Sequence, residues 1–186
     1  MAKIENHKYS IQEAFQECFY IVPDYQREYV WTDKEVNQLL DDINEQIDGG
    51  HEREYFIGTV LVSPTAQKNH YEVIDGQQRL TTFFLLLCAL KQMFQGEAQH
   101  QIITGLISAS YVDKSGETRT NLKLEPRYEN AGEVMAKLVE LNTNPWPSVP
   151  AFRQQASRAS DRWRISSTPI ALSTATWRTT TKTLPS

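Results

Sequence analysis

The sequence predicts an α+β domain, and three stretches predict it. Tyr71 to Ile74 alternate in the manner of a short half-buried strand. Beyond Arg79 the period changes: Leu80, Phe83, Phe84, Leu87 and Leu90 fall at i, i+3, i+4, i+7 and i+10, the stripe of a buried helix. Tyr55 to Val62 is a second β-branched and aromatic run, with Gly58 where a neighbouring backbone or a ligand can come close. The seven-residue polar connection Ser63 to Asn69 is short enough to return the chain antiparallel into Tyr71.

The remaining elements follow in order. Ser10 and Glu13 form a capping-box pattern ahead of Ile11, Ala14, Phe15 and Cys18, one face of a short helix. Phe19 to Val22 reads as a strand ended by Pro23, and Tyr25-Gln26-Arg27 leave it as a loop. Tyr29, Val30 and Trp31 are too apolar for a free loop and are expected to pack against the next helix. Thr32 and Glu35 cap that helix, Val36, Leu39, Leu40, Ile43 and Ile47 form its buried stripe, and Gly49-Gly50 ends it. Its acids Asp41, Asp42, Glu45 and Asp48 read as a solvated face. The long helix ends at Gly96, and Gln99 to Ser110 is expected to form another. Leu122 to Pro126 reads as a short edge strand, and Asn130 with Glu133 caps a last helix bearing Val134, Met135, Leu138 and Leu141, closed by Asn142.

At 40% hydrophobic and 23% charged, 186 residues make one ordinary globular domain with a real core. A net charge of −4 and a pI near 5.6 exclude a chain coated in nucleic-acid-binding positive charge. Cys18 and Cys88 lie in apolar helical settings without a CxxC or Cys/His cluster, and read as reduced core thiols of a cytoplasmic protein. The chain opens without a signal peptide, and its longest apolar run, Phe83 to Leu90, is too short to cross a bilayer, so no membrane partner is expected.

Between strand and long helix stands Asp75-Gly76-Gln77-Gln78-Arg79, polar residues crowded between two apolar elements. Two readings fit. In one, the pentad handles an anion: the first helical turn offers unpaired N–H groups, Gly76 lets backbone approach a ligand, and Arg79 offers a planar fork to phosphate. Asp75 would then hold Mg²⁺, a ribose hydroxyl or an attacking water, and Gln77 and Gln78 would orient a water or read a base edge. In the other, Asp75 and Gly76 are a turn that caps the helix, with Arg79 tied to a carboxylate elsewhere.

IDGQQRLTT before a leucine-rich helix, preceded by the blocks Ile21 to Trp31 (IVPDYQREYVW) and Tyr55 to Val60 (YFIGTV), resembles the N-terminal domain of GmrSD-type, modification-dependent restriction proteins. The resemblance covers residues 8 to 141. It implies a small mixed sheet with flanking helices, of ParB/sulfiredoxin type, over residues 8–145. It also implies a cytoplasmic domain that binds a nucleoside triphosphate with Mg²⁺ and hydrolyses it to license DNA restriction in phage defence. Arg79, the helix start and Arg27 would hold phosphates, with Gly76, Gln26 and Tyr25 lining the site. Asp75 would organise metal or water, and Gln77 and Gln78 the nucleophile. Modified DNA would be met through the complete protein or a partner, and self-association is compatible with the sequence.

Proteins of this type continue into an HNH-type nuclease domain, but His7, His51, His70 and His100 supply no His-Asn-His pattern, so a nuclease would belong to another domain or subunit. No Walker-type GxxxxGK[ST] loop is present, which keeps open a non-hydrolysing nucleotide or modified-DNA sensor. Residues 146–186 change character. One acid stands against six basic residues, so the tail's +5, taken from −4, leaves −9 for residues 1–145. With 14 serines and threonines and no sustained period, this tail reads as disordered, as a frameshifted end of a non-functional fragment, or as a basic arm stacking Trp163 and Trp177 on DNA.

Overall fold

The computed structural model describes residues 4–48, 55–140 and 175–182. Strand β1 (Ile4–Ser10) runs straight into helix α1 (Ile11–Glu17) through Ser10, whose hydroxyl accepts from Glu13 N at 3.1 Å while its own N–H donates to the Glu13 carboxylate at 2.7 Å. That reciprocal cap holds the Glu13 carboxyl below its ordinary range. Strand β2 (Phe19–Val22) ends before Pro23, where the sequence places it. Helix α2 (Asp33–Asp48) starts behind Thr32, whose N–H and hydroxyl both donate to Glu35, and buries Leu39 and Ile43. Gly49 and Gly50 lie outside the described residues.

Strands β3 (Tyr55–Pro64) and β4 (His70–Asp75) form the expected antiparallel hairpin. Helix α3 (Gln77–Met93) follows, and all five stripe residues, Leu80, Phe83, Phe84, Leu87 and Leu90, are at most 2% exposed. Each such side chain contributes about 1.5–3 kcal/mol by leaving water, which makes α3 the anchor of the core. Phe94 caps it by donating its N–H to Leu90 O. Burial raises both thiols, Cys88 to about 12, so neither is a reactive thiolate.

Helix α4 (Ala98–Ile107) stops three residues before the expected Ser110, because Ser108 turns into extended backbone and opens strand β5 (Ser108–Val112). It pairs with β6 (Thr118–Leu122), a hairpin absent from the sequence reading. Strand β7 (Leu124–Pro126) is an edge strand as expected, and α5 (Ala131–Glu140) buries Met135 and Val139. Val134, expected on the buried stripe, is 54% exposed. Leu141 and Asn142 lie outside the described residues.

Within the tail, residues 175–182 are ordered into the sheet, where the sequence reading had no element. Ala175–Lys182 form strand β8, inserted between β1 and β3, parallel to β3 and antiparallel to β1. Six strands stand in the order β1-β8-β3-β4-β2-β7, a mixed sheet, and the α+β class holds. The physical reason is the β-branched run Thr176, Thr179, Thr180 and Thr181, which suits a strand once partners flank it. Residues 146–174, with Trp163, and 183–186 lie outside the described residues. Among the described residues no helix is long and apolar enough to cross a membrane.

The β5–β6 hairpin gives a pH-dependent prediction. The Asp113 carboxylate accepts from Ser115 and Arg119 side chains and from the N–H groups of Ser115 and Glu117, which holds its pKa at about 2. The folded value lies below the unfolded one, so the turn is favoured above the ordinary carboxylate range and loses that support as pH falls toward 2. In a ¹³C-detected NMR titration, the Asp113 carboxyl is expected to protonate with a midpoint of about 2, well below the usual aspartate value. A midpoint at the usual aspartate value would show that the turn network does not persist in solution.

Candidate functional site

Strands β4, β2 and β7 are neighbours and all parallel, so their carboxyl ends emerge on one edge of the sheet. Parallel pairing thus gathers three segments far apart in sequence: Asp75–Arg79 after β4, Pro23–Trp31 after β2, and Arg127–Tyr128 after β7. The carboxyl edge of parallel strands is where ligands commonly sit in mixed α/β arrangements. β3 runs antiparallel to β4, so its first residues, Tyr55 to Gly58, lie at the same edge. Arg27, Arg79 and Arg127 all arrive there.

The turn from β4 into α3 is made by Gly76 at φ 87°, a left-handed conformation that glycine takes without penalty. A Cβ there would lie 2.9 Å from Thr59 O and 3.1 Å from Val60 Cα, so the turn also needs glycine's lack of bulk to sit against β3. No side chain caps α3, and its first turn contains no acid. Asp75 is exposed at the end of β4, opposite Leu61, and among the described residues its carboxylate has no ion-pair partner. Arg79 is partly exposed and likewise has no ion-pair or hydrogen-bond partner among the described residues. Of the two sequence readings of Arg79, the one that ties it to an internal carboxylate finds no such carboxylate among the described residues.

The glutamines do something else. Gln78, 6% exposed, donates Nε2–H to Glu28 O at 2.9 Å and accepts from Val30 N at 2.8 Å. Both ends of its amide are used on loop backbone, as a neighbouring strand would use them, so its geometry is that of a loop brace. Gln77, 7% exposed, donates to Arg27 O at 2.8 Å, while its Oε1 is buried without a partner among the described residues. Gln26 completes the lacing from the other side by donating Nε2–H to Ile74 O at 3.0 Å.

Tyr29 and Tyr128 continue it. Thr82 Oγ1 donates to Gln78 O at 2.8 Å; its one proton is thereby committed, so the Tyr29 hydroxyl is the donor in the 2.9 Å contact with Thr82 Oγ1. Burial raises the Tyr29 phenol. Burial also raises Tyr128, opposed by a backbone hydrogen bond from Tyr29. Arg127 N–H donates to Val22 O at 2.9 Å. Trp31 packs on the core as expected, whereas Val30 is 54% exposed.

The structure therefore brings Tyr25, Gln26, Arg27, Asp75, Gly76, Gln77, Gln78 and Arg79 to one edge. Tyr25, 70% exposed, and Arg27 face solvent. The sequence reading missed Arg127 and Tyr128, which only the β2–β7 pairing places here, and Tyr55. Burial, then the Asp42 carboxylate, push the Tyr55 phenol up, and the Arg79 guanidinium pulls it down, so Tyr55 and Arg79 share a field.

No curated protein matches the chain. The family model described as GmrSD restriction endonuclease, N-terminal domain, matches residues 7–169, farther than the motifs at 8–141 reach, and the chain belongs to this restriction family.

Proposed function

We propose that the chain binds a nucleoside triphosphate with Mg²⁺ at the carboxyl edge of β4, and hydrolyses it as the regulatory step of modification-dependent DNA restriction in phage defence. The observation that supports this most is Arg79: a partly exposed guanidinium beside an uncapped helix start, with no carboxylate partner among the described residues. A protein anion would normally neutralise such a group; an external phosphate suits its fork geometry.

The residues present fit the ligand. Gly76 sets the helix start close against β3, and the first turn of α3 has no acid to repel phosphate. Asp75 would hold Mg²⁺, which proteins commonly bind through one or two carboxylates plus substrate phosphates. When bound, the ion offsets triphosphate charge. Arg79, the helix start and Arg27 would hold phosphates, and Tyr25 would cover the outer side. The buried Gln77 Oε1 is an acceptor suited to one water or ligand hydroxyl, while Gln78 acts by fixing the loop that presents Arg27. Modified DNA and an HNH-type nuclease would meet this domain through the complete protein or a partner subunit, in the cytoplasm, with the domain free to self-associate.

A second reading, a sensor that binds nucleotide without hydrolysis, is favoured by the two glutamines, since their bonds to the loop leave few groups to position a nucleophile. One assay separates the readings. The full chain is incubated with Mg²⁺ and each of ATP, GTP, CTP and UTP, and thermal shift and phosphate release are recorded. Release with a shift is the expected result; a shift alone selects the sensor; neither with any triphosphate removes nucleotide from the function.

A further inference from the structure

We propose that Gly58, at a bulge in β3, is the seat that aims the Arg79 guanidinium, and so acts as a positioning residue for the anion site. Strand β3 is irregular both where it pairs with β8 and where it pairs with β4. Its pairing with β8 slips between Phe56 and Gly58, and its pairing with β4 slips between Leu61 and Val62. The stretch between the slips, Gly58 to Leu61, is where both halves of the DGQQR pentad touch the sheet. Gly76 abuts Thr59 and Val60, and Arg79 lies on Gly58. Bulges recur beside functional sites because they re-aim a side chain without disturbing the core. Here Ile57, at the first slip, is 5% exposed and still buried, so the irregularity leaves the packing intact.

The contact is specific to glycine twice over. Gly58 has φ +119°, a conformation that L side chains rarely adopt. A Cβ built there would also lie 2.3 Å from one terminal nitrogen of Arg79, 2.8 Å from its guanidinium carbon and 3.3 Å from Nε. All three atoms belong to the far end of a flexible side chain. The clash would therefore be relieved by moving Arg79, not by rupturing the fold. Against the bare glycine the guanidinium rests on backbone, with its partly exposed face free of any partner among the described residues. The bulge thus converts a long, mobile side chain into a fixed donor, and a displacement of about 1 Å in such a donor can cost about a hundredfold in a reaction that it orients.

The proposal rests on the anion reading of Arg79 for its functional readout, but not for its structural one. The full chain is prepared as wild type, Gly58→Ala, Arg79→Ala and the double variant. Binding is measured with Mg²⁺-ATP and, as a base-free probe, with tripolyphosphate, and Arg79 Nε–H is followed by NMR in ¹⁵N-arginine-labelled protein. Gly58→Ala is expected to weaken binding of both probes by about tenfold to a hundredfold, to change it less than about twofold when Arg79 is already alanine, and to move the Arg79 Nε–H resonance while leaving that of Arg27 in place.

Equal losses in both backgrounds, or an unmoved Arg79 resonance, would overturn the seat. If Gly58→Ala alone does not fold, recovery of folding in the double variant supports the clash with Arg79; if neither folds, the strained φ accounts for it, and the wild-type Arg79 Nε–H decides, slow exchange with solvent supporting the seat and free-chain exchange overturning it. If the wild type binds neither probe, the anion reading falls, and the Arg79 resonance still decides whether Gly58 holds the side chain.

Discussion

Arg79→Ala is expected to lower triphosphate affinity by about tenfold to a hundredfold, as the loss of one charge-assisted hydrogen bond of about 1.5–3 kcal/mol implies. Hydrolysis should fall further, by about 10²–10³, because a cation that meets charge developing in the transition state acts more strongly there than in the ground state. Folding stability should change by no more than about 0.5 kcal/mol, as at surface positions generally. The structural ground is that Arg79 has no ion-pair or hydrogen-bond partner among the described residues, so its removal orphans no buried carboxylate there. Arg79→Lys keeps the charge and loses the fork, and should recover part of the affinity and little of the rate. Affinity by titration calorimetry, single-turnover phosphate release and a urea melt measure these separately. Unchanged affinity and rate in Arg79→Ala, with wild-type hydrolysis present, would take Arg79 out of the site. A large stability loss would make it a structural residue.

The contrast with Arg119 shows why the same residue type is read differently at two places. Arg119 is paired with Asp113 and Glu117 inside one exposed hairpin, and the low pKa of Asp113 reports that local network. An exposed pair of this kind contributes little to stability and organises a turn. Arg79 faces the opposite situation. It sits at an edge where three parallel strands end, beside Gly76 and over Gly58, both at positive φ. Gly76 is required where the helix start packs against β3, and Gly58 where the Arg79 side chain lies on the strand, while the guanidinium itself has no ion-pair partner among the described residues.

What could be read from the sequence divides along the range of the interactions. α1, α2, β2 and α3 were legible because each is specified locally, by the Ser10–Glu13 box, the Thr32–Glu35 contact, Pro23 as a terminator and the leucine-rich period. β1 was not. Glu5, Asn6, His7 and Lys8 are all exposed, so the strand has no apolar alternation and exists through pairing with β8, more than a hundred residues away. The β5–β6 hairpin was overridden by the helical period of Ile102, Ile103, Leu106 and Ile107. The signal that could have found it was the Asp113-Lys114-Ser115-Gly116 turn, an Asp whose carboxylate accepts from the backbone two residues on. For the site, the pentad and the Arg27 block were visible, and their adjacency came with the family resemblance. Arg127 depends on the parallel β2–β7 pairing, which no local pattern encodes. The glutamines were assigned from what an amide can do for a ligand. Donor and acceptor chemistry does not reveal that backbone at Arg27, Glu28 and Val30 would take those groups first.

Gln78→Leu is the variant in which that brace should be felt most. The substitution keeps approximate bulk and removes both ends of the amide, leaving Glu28 O and Val30 N without their partner. Two net hydrogen bonds at about 1 kcal/mol each give about 2 kcal/mol, and at this chain length that corresponds to a melting point lower by about 4–8 °C. The local consequence is sharper than the global one. The Val30 amide should lose its hydrogen-exchange protection, while Phe83 and Phe84, in the core of α3, keep theirs. Gln78→Glu separates the two bonds. Ionised, it still accepts from Val30 N but sets a carboxylate oxygen against Glu28 O; protonated, it can donate to that carbonyl. Its folded pKa should therefore rise above the unfolded value, so the variant is most stable below the ordinary glutamate range and weakens as pH climbs through the raised pKa. If the loop is what presents Arg27 to the ligand, Gln78→Leu must also weaken triphosphate binding, and Arg27→Ala must add little to that loss. A protected Val30 amide in Gln78→Leu would mean that the loop holds itself. Full additivity with Arg27→Ala would mean that the brace and the arginine act on different things.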